Sequence, residues 1–304
     1  MNKGIIPAVV MPMDFKGNPD FDEYKKYLKW VASFKVIGVA VNVDTGEGPL
    51  LTEDERVKAI KVAKDVFKDR IVVAGIAGTS TSSAVLNAKK AKEAGADMGL
   101  VFPNSFFMGS PLDPEVPYEY HKAISENADL DIILFQLQSA LGGVDYDIET
   151  LLKLASLKRV KAIKEASFDV KKFLDTMRAF REKAPNVLFL TGNDNSIFES
   201  FVLGCDGALI GFGTLPVKEL VEMFELVKKW NIKEAQEIWL KLLPLEEVIF
   251  APPVRNYRAR TKYALSLMGI IKEELTYVRP PLLNITQDEK AKIKDALKKA
   301  ELIK

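Results

Sequence analysis

The chain has one cysteine and one histidine, and this scarcity excludes several kinds of site. Cys205 has no partner for an intrachain disulfide, which is typical of a reducing compartment, so we predict a cytoplasmic protein. Zinc sites built on clusters of His and Cys are excluded by count, and we predict no metal site. A serine triad would have to use His121, which we expect on a solvated helix face and outside any catalytic role.

Long apolar runs, a strong net charge and nucleotide-binding loops are missing too. No uncharged apolar run approaches the roughly 20 residues that cross a bilayer, and the first residues lack the apolar stretch of a signal peptide. The net charge of +1 gives no reason to expect nucleic acid or an anionic membrane as a partner. The sequence has neither a GxxxxGK[ST] loop nor a strand followed by GxGxxG. We therefore predict a small-molecule substrate and no cofactor.

Eight short apolar runs are present, and each is followed by a segment of helical period. Their starts lie 20 to 35 residues apart, which is the spacing of successive βα units and too long for hairpins. The runs cover residues 6–12, 36–43, 71–78, 96–103, 131–138, 160–166, 187–192 and 207–213. Eight alternations predict an α/β fold, a (β/α)8 TIM barrel, with a doubly wound open sheet as the alternative.

After residue 213 the apolar runs stop, and four segments of helical period follow. No Gly/Ser-rich linker separates them from the barrel. We therefore predict a barrel over residues 1–213 and a C-terminal helical extension over residues 214–304, packed on the barrel. Capping boxes at Thr52–Glu55 and Thr286–Glu289 predict two of the helix starts.

The sixth run, VKAIKEA, places a lysine among apolar residues. Read as a strand, it puts Val160, Ala162 and Lys164 on one face, at the carboxyl end where barrels carry their chemistry. If this face points inward, burial should lower the pKa of the lysine ammonium towards neutrality. A neutral amine can attack a ketone and form a Schiff base. The alternative is a lysine that reaches solvent from a strand end.

The turn after the second run, DTGE, offers a site for an anion. Asp44, Thr45 and Gly46 can present backbone N–H groups and a hydroxyl to a carboxylate. An ordinary βα turn with Gly46 at positive φ is the alternative.

Together these segments resemble the dihydrodipicolinate synthase and N-acetylneuraminate lyase family over nearly the whole chain. VVMPMDFKGNPD resembles the family's opening TPF or TPM segment, and DTGEGPLLTEDER is similar to its GTTGE-x-x-x-L-T-x-x-E turn. AIKEAS matches its Schiff-base lysine segment, and TGND resembles its GDD.

The resemblance implies a barrel that binds a 2-oxo acid, forms an imine at Lys164 and makes or breaks a bond next to the imine. It also implies that Thr45 and nearby backbone, including Gly46, hold the substrate carboxylate, and that the protein is a homotetramer or a homodimer. We assign Gln136 and Ile210 to the same substrate pocket.

Several positions depart from the family's pattern. The first threonine of its proton relay is Asp44 here, its catalytic tyrosine is Phe135, and its carboxylate-binding arginine is Ala140. Asn104 and Ser105 stand where a neighbouring subunit contributes a tyrosine. A phenyl ring cannot carry a proton and an alanine cannot hold a carboxylate, so synthase activity itself is in doubt.

Three groups of residues could compensate. Asp44 can exchange protons if burial raises its pKa, so we predict that it is catalytic together with Lys164. Gln136 brings an amide suited to substrate hydroxyls. A third group is the basic cluster of PPVRNYRARTK, which we interpret as a solvated helix face: Arg255, Arg258 and Arg260.

The sequence therefore predicts a Schiff-base-forming lyase, an aldolase or dehydratase that acts on a 2-oxo acid. We expect a 2-keto-3-deoxy sugar acid, or pyruvate plus an aldehyde, as substrate. The alternatives are a dihydrodipicolinate synthase with displaced relay groups and a non-catalytic barrel that binds a 2-oxo acid. A phosphate-binding barrel that uses residues 211–213 is less favoured, because TGNDN supplies acid where amides or bases are needed.

Overall fold

Eight parallel strands form one sheet whose order is β1-β8-β7-β6-β5-β4-β3-β2. The computed structural model describes residues 1–109 and 112–304. The strands are β1 Gly4–Pro7, β2 Gly38–Val41, β3 Ile71–Ile76, β4 Met98–Val101, β5 Asp131–Leu137, β6 Val160–Ala166, β7 Leu188–Thr191 and β8 Gly207–Ile210. Each lies in or overlaps a predicted apolar run, so the eight runs are confirmed as strands.

The two ends of this sheet meet, which closes it into a barrel. A parallel bridge joins Ala8 to Ala40, and the N–H of Ile37 donates to the carbonyl oxygen of Ile5 at 3.0 Å. An open doubly wound sheet would leave β1 and β2 as free edges. The predicted (β/α)8 barrel is therefore confirmed and the open sheet is excluded.

Alternation along the strands creates two apolar layers. On β5, Ile133 and Phe135 point into the barrel, whereas Ile132 and Leu134 point towards the helices. The inner layer contains far fewer residues than the outer layer, as expected for a barrel that is filled by side chains and covered by helices. A side chain on the inner face near a strand's carboxyl end is therefore surrounded by apolar groups and lies close to the barrel mouth.

Helices cover the outside of the barrel and continue beyond its last strand. In the described residues they are α1 Phe21–Ala32, α2 Glu53–Phe67, α3 Thr81–Glu93, α4 Glu115–Asn127, α5 Ile148–Ala155, α6 Val170–Lys183, α7 Ile197–Val202, α8 Val217–Lys228, α9 Ile232–Ile249, α10 Tyr257–Leu267 and α11 Gln287–Lys299. The predicted capping boxes are present at Thr52 and at Thr286. None of the described helices combines the length and the apolar character that crossing a membrane requires.

The last four helices pack on one another and on the barrel. α8 contacts α7 and β1, which is the place of the eighth barrel helix. The boundary that we predicted after residue 213 precedes α8, so this barrel helix falls in the segment that we assigned to the extension. α9 lies against α8 and α11, and α10 lies against α11. α10 begins at the barrel mouth, where it brings side chains to the turn after β2.

Candidate active site

A pocket of about 40 Å³ opens at the carboxyl ends of the strands. It is small, since one ordered water occupies roughly 10–15 Å³ on a comparable measure. Its lining residues come from β5, β6, the turns after β2, β5, β6, β7 and β8, and the segment before and at the start of α10: Asp44, Thr45, Phe135, Leu137, Leu141, Lys164, Ala166, Phe168, Gly192, Asp194, Gly211, Phe250, Val254 and Tyr257. Two residues of the predicted carboxylate turn therefore share a pocket with the predicted Schiff-base lysine.

Lys164 lies on the inner face of β6 between Phe135 of β5 and Leu190 of β7. Its side chain is 8% exposed, and its Nζ atom lies 4.4 Å from the centroid of the Phe135 ring. Gly192 makes room for the stem, because an added Cβ would come within 2.7 Å of Lys164 Cε. Burial lowers the pKa of the Lys164 ammonium to about 8, against the opposing effect of the Asp194 and Asp44 carboxylates.

The turn after β2 carries two buried backbone donors. Thr45 is 3% exposed, and neither its N–H nor that of Gly46 donates to a residue that the structure describes. A Cβ at Gly46 would lie 2.8 Å from the carbonyl oxygen of Val9, so glycine is required by close packing at this point. Buried N–H groups are nearly always paired, and a carboxylate is a suitable acceptor for these two.

Asp44 is held by the C-terminal helices. Its carboxylate forms an ion pair with Arg258, whose Nε–H also donates to the Asp44 carbonyl oxygen at 2.7 Å. The hydroxyl of Tyr257 donates to Asp44 Oδ2 at 3.0 Å. Asp44 is only half-buried, with 38% of its side chain exposed. The burial that we expected to prepare Asp44 for proton exchange is therefore incomplete.

Arg258 and Arg260 are buried, so our interpretation of them as a solvated helix face is wrong. Arg258 turns towards Asp44, and Arg260 pairs with Glu289 at 2.9 Å and with the carbonyl oxygen of Ile249 at 3.1 Å. Both guanidinium groups have paired donors, which is why burial is tolerated. Arg255 is exposed, as expected.

Tyr257 is a pocket residue that sequence reasoning missed. Its hydroxyl oxygen lies 3.0 Å from Asp44 Oδ2 and 3.2 Å from Thr45 Oγ1. Burial raises the pKa of Tyr257 well above its ordinary value, and the Asp44 carboxylate adds to this effect. The signal in the sequence was the tyrosine within the arginine cluster, between Arg255 and Arg258.

Asp194, in the turn after β7, is a second pocket residue that the sequence analysis did not assign to the site. Its Oδ1 accepts the N–H of Phe212 at 2.8 Å, which ties this turn to the one after β8. Burial raises the pKa of Asp194 to about 6, although the Phe212 N–H and the Lys164 ammonium act in the opposite direction. A carboxyl with this pKa changes charge close to neutral pH.

Two predicted substrate residues are not brought into this pocket. Gln136 alternates with Phe135 and points outward, where its amide nitrogen donates to Asp145 and to the Tyr146 carbonyl oxygen, both at 3.0 Å. Ile210 likewise alternates with Leu209 and packs in the outer layer. Strand phase is the reason in both cases.

The turn after β2, which carries Asp44, Thr45 and Gly46, is also anchored by a buried ion pair. Glu47 pairs with Lys262 of α10, and both side chains are 0% exposed. The second Glu47 oxygen accepts the N–H of Arg279 at 2.8 Å, and Lys262 also donates to the carbonyl oxygen of Tyr277 at 2.6 Å. Both charges are thus paired and hydrogen-bonded, which fixes the turn to the C-terminal part of the chain.

A separate cavity of about 390 Å³ lies outside the barrel mouth. It is lined by residues between α2 and α3 and after β4, and it shares no lining residue with the Lys164 pocket. No group of three or more His, Cys, Asp or Glu side chains within residues 1–109 and 112–304 is placed to hold a metal ion.

His121 is buried, not on a solvated face as we expected. Its Nδ1 lies 2.6 Å from the carbonyl oxygen of Pro117, one helical turn earlier. Burial lowers the pKa of His121 to about 4, so the imidazole is neutral at physiological pH. His121 is not among the residues that line the Lys164 pocket.

Comparison with known proteins identifies the family. A family model described as "Dihydrodipicolinate synthetase family" matches residues 1–300. The chain belongs to the dihydrodipicolinate synthetase family. This confirms the resemblance that the motifs carry. Members of the dihydrodipicolinate synthetase family are lyases of the class I Schiff-base type, and this protein is such a lyase.

Similar proteins match over essentially the full length. The 4-hydroxy-tetrahydrodipicolinate synthase of Thermodesulfovibrio yellowstonii is 30% identical over 305 residues, which cover 100% of both chains. That of Thermosipho africanus is 31% identical over 300 residues, 98% of each chain. The crystal structure of dihydrodipicolinate synthase from Thermotoga maritima gives a TM-score of 0.90 at 27% identity, with 100% of both chains covered. The crystal structure of dihydrodipicolinate synthase from Acinetobacter baumannii, solved in complex with pyruvate, gives a TM-score of 0.87 at 27% identity, with 100% of both chains covered.

Proposed function

We propose that Lys164 is the Schiff-base residue of this family member and that it forms an imine with a 2-oxo acid. The observation that carries the proposal is the burial of Lys164 beside Phe135, with a pKa lowered to about 8. At pH 7 a group with this pKa is neutral in roughly a tenth of the molecules, against about four in ten thousand for an ordinary lysine. The neutral amine is the nucleophile.

The turn after β2 supplies the binding site for the acid's carboxylate. The unpaired N–H groups of Thr45 and Gly46 and the Thr45 hydroxyl support this role, and they line or adjoin the Lys164 pocket. We propose Asp44 as a participant in proton transfer, since its carboxylate lines the same pocket.

We propose that the second substrate differs from that of the synthases to which this chain is similar. Phe135 and Ala140 occupy the positions where the family's pattern has its catalytic tyrosine and its carboxylate-binding arginine. Without those groups, an aldehyde that lacks a carboxylate is the better partner for the enamine, and cleavage of a 2-keto-3-deoxy sugar acid is the reverse of such an addition. The identity of about 30% to two synthases supports synthase activity as the second candidate. Turnover of pyruvate with aspartate semialdehyde at the roughly 1–10³ s⁻¹ typical of enzymes would favour that candidate.

Borohydride reduction in the presence of pyruvate tests the proposal. We expect one reduced pyruvyl group per chain, located by mass spectrometry on Lys164. Lys164→Arg should abolish the adduct, because a guanidinium stays protonated and cannot attack a ketone. Lys161→Arg is the matched control, since Lys161 lies on the outer face of the same strand and its loss should leave labelling unchanged. An unmodified Lys164, or labelling that follows Lys161, would contradict the imine.

We further propose a homodimer or homotetramer that works in the cytoplasm. The family's pattern supports assembly, and so does the exposed Phe106 side chain, which is 81% accessible in the isolated chain. The single buried cysteine, Cys205, supports a reducing compartment.

A further inference from the structure

The chemistry of an imine needs a proton carrier beside Lys164. When a lysine ammonium becomes an iminium, both hydrogens of the departing water come from the nitrogen, so two protons must move from nitrogen to oxygen. Formation of the enamine then removes a proton from the carbon next to the imine. Lys164 cannot move these protons alone, and Phe135 beside it has no ionisable group.

Three ionisable groups other than Lys164 line the pocket: Asp44, Asp194 and Tyr257. Asp194 is tied to the backbone N–H of Phe212, and the charge of Asp44 is paired with Arg258. Tyr257 is different, because its hydroxyl contacts both Asp44 and Thr45. It joins the acid to the turn that is proposed to bind the substrate.

We propose that Tyr257 is a catalytic residue that relays protons between the reacting atoms and the carboxylate of Asp44. This inference rests on the proposed imine at Lys164. It assigns the proton carrier to a phenol that α10 brings to the barrel mouth.

The geometry around the hydroxyl suits a relay. A phenol has one hydrogen to donate and can accept on the same oxygen. The hydrogen can be donated to Asp44 Oδ2 at 3.0 Å or to Thr45 Oγ1 at 3.2 Å. The same oxygen can accept a hydrogen from a substrate hydroxyl or from an acidic C–H that enters the pocket.

The ring is held in one position. Tyr257 stacks on Phe250 with the ring centroids 5.1 Å apart and the planes 18° apart, and the Arg258 guanidinium carbon lies 4.9 Å from its centroid. Gly211 leaves space for it, because an added Cβ would lie 3.2 Å from both Tyr257 Cε2 and Thr45 Oγ1. A fixed ring keeps the hydroxyl within reach of both partners, which proton transfer requires.

The proton passes through the phenol without a free phenolate. Because burial and Asp44 raise the pKa of Tyr257, its oxygen accepts a proton from the substrate as its own hydrogen moves to Asp44. During imine formation each proton first moves from the nitrogen through Tyr257 to Asp44. It then moves from Asp44 through Tyr257 to the oxygen that departs as water. The C–O bond breaks with its electron pair on the departing water, and the nitrogen lone pair forms the C=N bond. In enamine formation the C–H electron pair forms the C=C bond, the π pair of the C=N bond returns to the nitrogen, and the proton rests on Asp44.

Hydrogen exchange of pyruvate in D₂O measures this relay without knowledge of the second substrate. Nuclear magnetic resonance follows the loss of the methyl signal, while borohydride labelling after long incubation reports the amount of imine. We expect Tyr257→Phe to slow exchange by about 10²–10⁴-fold, the usual contribution of general acid–base catalysis. End-point labelling of Lys164 should persist, because the ring and its stacking remain. Asp44→Asn should slow exchange over the same range and also leave Lys164 labelled.

Tyr263→Phe is the matched control, since Tyr263 lies on α10 and does not line the pocket. Its exchange rate should stay close to that of the wild type. Equal exchange rates for Tyr257→Phe and Tyr263→Phe would overturn the relay while the imine stands. Loss of both exchange and labelling in Tyr257→Phe, with an unchanged melting temperature, would make the tyrosine a binding residue and would also overturn the relay. Absence of labelling in the wild type would overturn the imine and the relay together.

Discussion

At the scale of single residues, Lys164 and Tyr257 illustrate what strand phase can and cannot predict. The alternation within VKAIKEA was enough to place Lys164 on the inner face, where the structure has it. Strand phase was not applied to Gln136, because the pairing of β5 with β6 cannot be read from the sequence. Phe135 is the register partner of Lys164, so Gln136 must point outward with Glu165. The arginine cluster draws attention to Tyr257, but its position beside Asp44 could not be predicted, since that proximity is a property of the folded chain.

The reactivity of Lys164 should follow a pKa near 8. The neutral amine reacts with acylating reagents, so the rate of Lys164 acetylation should rise with pH and level off above about pH 8, the value to which burial lowers its pKa. Acetylation at limiting reagent, quantified by mass spectrometry from pH 6 to 12, gives the midpoint. The same peptide in guanidinium-unfolded protein should have its midpoint near the ordinary lysine pKa of about 10.4. A folded midpoint at or above the unfolded one would show that the barrel does not activate this lysine.

At the scale of elements, the sequence predicted the strands better than the contacts of the last helices. Eight apolar runs identified eight strands because each strand is buried on both faces and reads as a continuous apolar segment. The helices after β8 were also predicted, but their docking was not. α10 inserts Arg258 and Lys262 towards acids of the turn after β2, and local periodicity assigned such basic residues to solvent. Pairing between distant segments decided their burial, which no local pattern records.

Removing one partner of the buried Glu47–Lys262 pair should strongly lower the free energy of unfolding. Lys262→Met leaves the Glu47 carboxylate buried without its partner, which costs about 3–5 kcal/mol of unfolding free energy in comparable cases. The double variant Glu47→Met with Lys262→Met should recover much of this loss, because no unpaired charge remains. Urea unfolding at pH 7 measures both. Lys292→Met, which breaks an exposed pair with Asp288, is the control and should change little. A Lys262→Met variant as stable as this control would contradict the importance of the pair.

At the scale of the whole molecule, the closed barrel has a cluster of acids near the mouth that opposes stability at high pH. Glu246 of α9 is buried, and burial together with Asp194, Glu247 and Glu199 raises its pKa to about 8. The ordinary glutamate pKa is about 4.3, so between these values the folded state holds a proton that the unfolded state has released. Its contribution to the free energy of unfolding is present below about pH 4 and is lost as the pH rises through 8.

Glu246→Gln should therefore gain stability over the wild type as the pH increases. Glutamine removes the ionisation, so the difference in melting temperature between variant and wild type should grow in favour of the variant from pH 5 to pH 9. Thermal unfolding across this range provides the measurement. Glu237→Gln removes an exposed carboxylate on the same helix, one that does not act on Glu246, and serves as the control. A difference that stays constant with pH would mean that Glu246 does not change its ionisation on folding.

The connection between α10 and the turn after β2 also has a consequence for the order in which a newly made chain becomes active. Tyr257 and Lys262 are added to the growing chain 213 and 215 residues after the acids that they contact. At a synthesis rate of about 5–20 residues per second, the ribosome needs on the order of 10–40 s to cover that distance. Once residue 164 has been added, the nascent chain contains the amine of Lys164 but still lacks the phenol of Tyr257 and the Lys262 counter-ion of Glu47. Competence for chemistry therefore arrives with the late helices and not with the barrel strands, so an incomplete chain on the ribosome does not consume substrate.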